Sequence, residues 1–150
     1  MSTATLPGTA NPWTDAEYLQ YLADNPIQLL PVLPMTQDQF YAFCQQNPDW
    51  RFERSAQGEL IIMAPTGGES SSSNASVTGQ LYAWAIRDET GRVFDSSGGF
   101  ILPSGANRSP DTSWVLKSRL ALIPPEQLKK FVPLSPDFVV EMLSPSDSLK

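Results

Sequence analysis

Fourteen prolines and nine glycines, distributed through 150 residues, limit how this chain can fold more than any other feature of the sequence. Proline interrupts the interior of helices and central strands, and glycine favours turns. The chain must therefore consist of short helices and strands joined by many turns, which excludes a long helical bundle. Because 41% of the residues are hydrophobic and 10% are aromatic, these short elements can still enclose the core of a globular domain.

The chain contains no histidine. It cannot by itself supply a Ser-His-Asp triad, a Cys-His pair, a histidine-ligated zinc or a histidine general base. Any chemistry must come from carboxylates, lysine, tyrosine, the one cysteine or a metal bound by oxygen. The lone Cys44 rules out an intrachain disulfide, and its apolar helical neighbours favour inert packing over a reactive thiol.

The charge balance limits which partners the protein can have, and the apolar runs limit where it can be located. The net charge of −6 excludes a general basic coat for nucleic acid, so any such contact must use a local patch or a metal. Residues 1–12 lack the features of a signal peptide, and no apolar run approaches the ~20 residues of a membrane span. We therefore expect a cytoplasmic protein with no membrane partner.

The sequence predicts one domain, over residues 35–150, preceded by an N-terminal tail and a short helix within residues 1–34. Capping-box spacing from Thr14 starts that short helix, which ends near residues 24–26, and three prolines make residues 26–34 extended. A second capping box at Thr36 and Gln39 begins a helix that runs to about Gln46.

The rest of the chain alternates between strand and helix patterns. Residues 50–54 and 59–64 form a predicted β-hairpin, and residues 65–73 a loop. A helix is predicted over 73–90, with Gly91 as its C′ residue. The residues after it predict further short strands and a helix, in the order strand 92–95, strand 99–102, strand 112–116, helix 124–130 and strand 138–143. The last of these is a nearly continuous apolar run, typical of a central strand covered on both faces.

Two acidic residues stand out as candidates for chemistry. Glu141 interrupts the apolar run, where a lone carboxylate is costly to bury unless it is paired or metal-bound. An edge position or an ion pair would explain it equally well. Asp111 follows a proline where a loop enters a strand, and an ordinary turn aspartate is the alternative.

The 30 positions between Asp111 and Glu141 allow the two acids to lie on neighbouring strand ends. Two such carboxylates can bind a hard divalent cation such as Mg²⁺ and leave room for water and phosphate oxygens. Glu53 or Glu59 on the hairpin could add a third oxygen, although a solvent-facing charge is the simpler interpretation of each. Arg108, close to Asp111, is the best candidate contact for a phosphate, with an ordinary loop charge as the alternative.

Three segments together resemble a known family: RFERSAQGELIIMAPTGG, VFDSSGGFILPSGANRSPDTSWV and SPDFVVEMLSPSDSLK. The family is a large group of restriction-endonuclease-like proteins of unassigned function within the PD-(D/E)xK nuclease superfamily, and the likeness covers about residues 35–150. The resemblance implies an α/β (α+β) restriction-endonuclease-like core, with a mixed sheet flanked by helices and an N-terminal β-hairpin. It also implies hydrolysis of DNA phosphodiester bonds that depends on Mg²⁺ or Mn²⁺.

By position, the resemblance makes Asp111 and Glu141 the catalytic metal ligands and gives Glu53 a supporting catalytic role. One departure is that Leu143 occupies the superfamily's lysine position, and Lys150 lies where the next helix would begin. We therefore expect a fragment or a weakened nuclease. The alternative is a non-catalytic module of the same fold that acts in binding or assembly, and a homodimer is expected in either case. An all-β ligand-binding module would explain neither the 73–90 helix nor the acid within FVVEML.

Overall fold

The computed structural model describes Thr14, Gln28–Leu29, residues 34–63 and residues 65–142. The predicted N-terminal helix after Thr14, Leu143 and the helix start near Lys150 lie outside the described residues. The expected extended segment at 26–34 contributes a two-residue strand, Gln28–Leu29. No helix within the described ranges is long and apolar enough to cross a membrane.

Most helices and strands in the described part of the chain are short, as the proline content predicts, although one helix has 21 residues. The helices are α1 Gln37–Gln46, α2 Gly68–Asp88, α3 Lys117–Leu120 and α4 Pro125–Leu128. The strands are β1 Gln28–Leu29, β2 Arg51–Arg54, β3 Leu60–Met63, β4 Gly91–Asp95, β5 Phe100–Ile101, β6 Asn107–Arg108, β7 Thr112–Leu116 and β8 Phe138–Val140.

The strands form two sheets. One has five strands in the order β1-β3-β2-β6-β5, and the other has three in the order β4-β7-β8. Their strand pairs are antiparallel, and a parallel bridge joins Phe100 to Val132. The predicted α+β class is confirmed, and so is the hairpin of β2 and β3, whereas the strands are divided between two sheets.

Helix α1 begins as the sequence predicts. Thr36 Oγ1 accepts a hydrogen bond from Gln39 N at 3.2 Å, and Gln39 Oε1 accepts one from Thr36 N at 2.8 Å. This reciprocal pair satisfies two backbone donors that the first helical turn would otherwise leave unpaired. At the other end the Asn47 side chain donates to Phe43 O, and Phe40 on the inner face of the helix is fully buried.

Helix α2 begins five residues earlier than predicted and ends two residues earlier. The serine run, predicted as part of a loop, continues the helix because Ser71 N already donates to Gly67 O. At the C-terminus Glu89 adopts the left-handed conformation, with φ 59°, and its N–H donates to Ala85 O. The predicted C′ residue, Gly91, instead opens β4.

Packing against an indole explains why glycine occupies position 91. A Cβ atom there would lie 2.1 Å from Cε2 of Trp114, well inside van der Waals contact. The same indole meets Trp84 of α2 edge to face, with ring centroids 5.5 Å apart. The close approach of β4 to Trp114 thus positions α2 on the three-stranded sheet.

The core lies where the two sheets meet. Phe100 of β5 and Val115 of β7 are fully buried, and they cluster with Leu120 and Val132. Because these residues come from different sheets and from the segments after them, one apolar cluster holds both sheets in a fixed relation.

Strand β8 differs from its prediction. It lies at the edge of the three-stranded sheet rather than in its centre, and Phe138 and Val139 are 50% and 48% exposed. An apolar run alone cannot distinguish a doubly covered strand from an exposed edge. Asp137 anchors the start of β8, since its carboxylate accepts from Leu116 N and from Arg119 Nη1.

Candidate functional site

Asp111 and Glu141 meet at one end of the three-stranded sheet. Asp111 directly precedes β7 and Glu141 directly follows β8, and in this antiparallel pair Thr112 is opposite Val140. Asp111 N donates to Glu141 Oε2 at 3.4 Å, and Met142 N donates to Asp111 Oδ2 at 2.9 Å. The register of the two strands therefore brings together the two acids that the sequence singles out.

Asn74 of α2 is a further residue of this site. Its Nδ2 atom donates to Asp111 Oδ1 at 2.9 Å, so both carboxylate oxygens of Asp111 accept hydrogen bonds and the side chain is held in one orientation. The Oδ1 atom of Asn74 is buried and has no hydrogen-bond partner in the described part of the chain. No sequence pattern singles out Asn74, because it falls within a run of small polar residues.

Glu53 fixes the chain segment that leads to Asp111. From β2 its Oε1 atom accepts a hydrogen bond from Ser109 N at 2.8 Å, and its Oε2 atom lies 3.5 Å from Nε of Arg108. The Arg108 guanidinium also donates to the carbonyl oxygens of Arg54 and Asn107. Glu53 and Arg108 therefore lie next to the site, with their charged groups largely engaged by each other and by the backbone.

Glu59, the other hairpin acid considered as a ligand, lies at the turn, where its N–H donates to Ser55 Oγ. Among the residues that the structure describes, no three His, Cys, Asp or Glu side chains are grouped so that they could hold a metal ion. The predicted third carboxylate ligand is therefore not found there, and the Asp111–Glu141 pair stands as a two-carboxylate site.

Two open clefts meet beside this pair. The larger, about 810 Å³, lies between α2 and the β4–β5 turn, and Asn74, Thr78 and Asp111 contribute to its wall. The smaller, about 320 Å³, is bounded by Trp50, Phe52 and Glu53 among others. Three residues line both clefts, namely Arg51, Ser96 and Ser97. An extended ligand could follow this surface past Asp111.

The cysteine plays no evident chemical part. Cys44 is half-buried at the wall of the smaller cleft, and burial raises the pKa of its thiol to about 11. The thiol is therefore protonated at neutral pH and is a poor nucleophile or soft-metal ligand, which agrees with the expectation of inert packing.

The carboxyl of Glu141 has a raised pKa. Partial removal from water is the main cause, and the negative charges of Asp111 and Glu53 add to it. The Asp111 N–H and the Arg51 guanidinium act in the opposite direction. A carboxyl whose ionised form is disfavoured by burial and by neighbouring acids is typical of a site that binds a cation.

Replacing Glu141 by glutamine should raise the melting temperature at pH 7 in the absence of divalent cations. A carboxyl whose folded pKa is raised stabilises the fold below its unfolded pKa, about 4.3, and loses that stabilisation as pH rises through the folded value. The gain from Glu141→Gln should therefore be greatest at neutral pH and vanish near pH 4. Thermal melts across this range, with Glu59→Gln as the control, test it, and a less stable Glu141→Gln protein at pH 7 would contradict it.

Comparison with known proteins agrees with this architecture. A family described as "Uma2: Putative restriction endonuclease" matches residues 37–150. Four chains of solved structures match, among them the crystal structure of "a putative nuclease belonging to DUF820" from Anabaena variabilis ATCC 29413. That chain is 21% identical, with a TM-score of 0.56 over 77% of the present chain, which spans 62% of its length.

The structural likeness shows the shared restriction-endonuclease-like fold, while no curated protein matches the sequence. The family match extends from the first residue of α1 past the Asp111–Glu141 pair and covers most of the sequence. The chain belongs to the Uma2 family of restriction-endonuclease-like proteins.

Proposed function

We propose that the protein acts as a Mg²⁺- or Mn²⁺-dependent endonuclease that hydrolyses phosphodiester bonds of DNA, with Asp111 and Glu141 as its metal ligands. One observation carries the proposal, namely the mutual contact in which Asp111 N donates to Glu141 Oε2 and Met142 N donates to Asp111 Oδ2. Two acids far apart in the sequence thereby lie side by side, and Asp111 lines an open cleft.

The donor set fits a hard divalent cation. Mg²⁺ usually binds proteins through one or two carboxylates and completes its octahedron with water and substrate phosphate oxygens. The Oδ1 atom of Asn74, which is buried and accepts no hydrogen bond from the described residues, adds a further oxygen beside the pair. A divalent cation bound there would supply Lewis acidity toward a phosphoryl oxygen.

The surrounding residues prepare the pair for this task. Asn74 and the Met142 N–H fix the orientation of the Asp111 carboxylate, while Glu53 holds Ser109 and so the loop before it. Such supporting hydrogen bonds normally matter for metal affinity almost as much as the ligands do. In this scheme Glu53 is a positioning residue, and Arg108, whose side chain is 38% exposed, remains a predicted DNA contact.

The test uses the protein as it is. Calorimetric titration with Mg²⁺ and with Mn²⁺ should show binding, and supercoiled plasmid DNA should be nicked or linearised only when one of these ions is present. Chelation should stop the cleavage, and readdition of the ion should restore it. Failure to bind either ion would contradict the proposal.

The second candidate is a non-catalytic module of the same fold that acts in binding or assembly. The exposed apolar residues of the β8 edge, Phe138 and Val139, favour it, because a paired edge would cover them. Folded protein that binds no metal but forms a homodimer in light scattering would support this candidate. A homodimer and a cytoplasmic location are proposed for either function.

A further inference from the structure

We propose that Arg51 is the residue that binds the substrate phosphate at the Asp111–Glu141 pair and stabilises the charge that develops on it. The inference rests on the proposed function and names the group that recognises the substrate. It differs from the expectation for Arg108, and it follows from the contacts that the fold gives each arginine.

Arg51 stands between the two clefts. It lines the larger cleft together with Asp111 and Asn74, and the smaller one together with Trp50 and Glu53. Among the described residues that line these two clefts, Arg51 is the only one with a positively charged side chain. Its positive charge also acts on the carboxyl of Glu141, so it lies within electrostatic reach of the pair.

The guanidinium is held in place but keeps donors free. Its Nη2 atom donates to Ser96 O at 2.8 Å and to Ser109 O at 3.4 Å, two residues before Asp111. Within the described ranges, Nε and Nη1 have no hydrogen-bond partner. A pre-oriented guanidinium with unpaired N–H groups suits a phosphate, to which Nε or Nη1 can donate a charge-assisted hydrogen bond.

The neighbouring arginines are already engaged. Arg54 is buried, donates to Asn107 Oδ1 and Met35 O, and packs over the ring of Phe40. Arg108 faces Glu53 and donates to two backbone carbonyls. Binding a phosphate through Arg54 would require these contacts to break, and the charge of Arg108 is already balanced by Glu53, whereas Arg51 can bind a phosphate with its present contacts intact.

The chemistry gives Arg51 a defined part. In hydrolysis a water oxygen forms a bond to phosphorus and gives one proton to solvent, while one P–O ester bond breaks and the leaving alkoxide takes a proton from solvent. The products are a phosphate monoester and an alcohol. Negative charge grows on the phosphoryl oxygens during this step. A fixed donor aimed at those oxygens stabilises the transition state more than the bound substrate.

The first test compares cleavage by Arg51→Met and wild type. Loss of one such preorganised donor typically lowers kcat by about 100-fold or more. We expect that loss with Mg²⁺ affinity unchanged within a few-fold, and partial recovery of the rate when guanidinium ion is added at concentrations that leave the fold intact. Arg51→Lys should retain intermediate activity. Arg87→Met, on the exposed face of α2, is the control and should cleave like the wild type.

The second test does not depend on catalysis. A short labelled DNA duplex is titrated with each protein in the presence of a chelator, over a series of salt concentrations. Arg51→Met should bind more weakly and reduce the slope of log affinity against log salt by about one. Arg51→Met protein that folds, cleaves at the wild-type rate and keeps the wild-type salt slope would overturn the inference. A wild type that never cleaves but loses DNA affinity on this substitution would overturn the proposed function and retain Arg51 as the phosphate contact.

Discussion

Replacing Asp111 by alanine is expected to weaken Mg²⁺ binding by more than about 100-fold and to abolish DNA cleavage. Removing even a residue that only supports a metal ligand commonly costs 10- to 100-fold in affinity, and Asp111 is proposed as a ligand itself. The substitution also leaves the Asn74 amide and the Met142 N–H without their acceptor. Calorimetry with Mg²⁺ and a plasmid cleavage assay measure the two losses.

Asp111→Asn separates the charge from these contacts. The amide has nearly the shape of the carboxylate and can still accept from the Met142 N–H, so the fold should be close to wild type while the cation affinity falls. Asp95→Asn is the matched control. Asp95 lines the same cleft, but its carboxylate accepts a hydrogen bond from Ser97 and is not part of the Asp111–Glu141 pair. Mg²⁺ binding by Asp111→Asn at wild-type affinity would rule out the proposed ligand role.

Replacing Gly91 by alanine should cost about 2–3 kcal/mol of unfolding free energy, because overpacking of a well-packed site typically has a cost of this size. The added methyl group would overlap the Trp114 indole, whose displacement would disturb its contact with Trp84. Denaturant unfolding followed by circular dichroism would measure the loss. A smaller ring should relieve the clash, so Trp114→Phe should recover part of the stability in the Gly91→Ala background.

Gly79→Ala gives the matched control for this experiment. Gly79 lies on the exposed side of α2, and a Cβ atom there meets nothing within 4 Å. Alanine at an unobstructed helical position generally adds about 0.5–1 kcal/mol of stability. The two glycine substitutions should therefore change stability in opposite directions, and a stabilising Gly91→Ala would show that the indole yields without cost.

Local sequence signals predicted the elements that are determined locally. The capping box at Thr36 and Gln39 placed the start of α1, and alternation around Phe52 placed the hairpin. The pairing of Asp111 with Glu141 could be anticipated from two acids at strand ends and from a family resemblance. What made the pairing possible, however, is a strand register, and no local pattern encodes it.

The features that escaped prediction depend on contacts between distant segments. Gly91 is of the residue type that commonly ends a helix, yet glycine is required there because of its close packing against the Trp114 indole. Helix α2 incorporates the serine run, which puts Asn74 against Asp111. Arg51 and Arg108 are equivalent by residue type, and only the contacts in the fold distinguish them. Arg108 faces the carboxylate of Glu53, whereas Arg51 donates to backbone carbonyls.

Residues 109–111 form a short connection that passes from β6 of one sheet to β7 of the other. From the five-stranded sheet, Glu53 accepts a hydrogen bond from Ser109 N. On the side of the three-stranded sheet, Met142 N donates one to Asp111. A ligand bound at Asp111 therefore also stabilises the fold around this connection, since its binding energy is added to the stability of the folded state by mass action. Conversely, a force that slides one sheet past the other would strain the hydrogen bond from Ser109 N to Glu53 and shift Asp111, so occupancy of the site reports on the alignment of the two sheets.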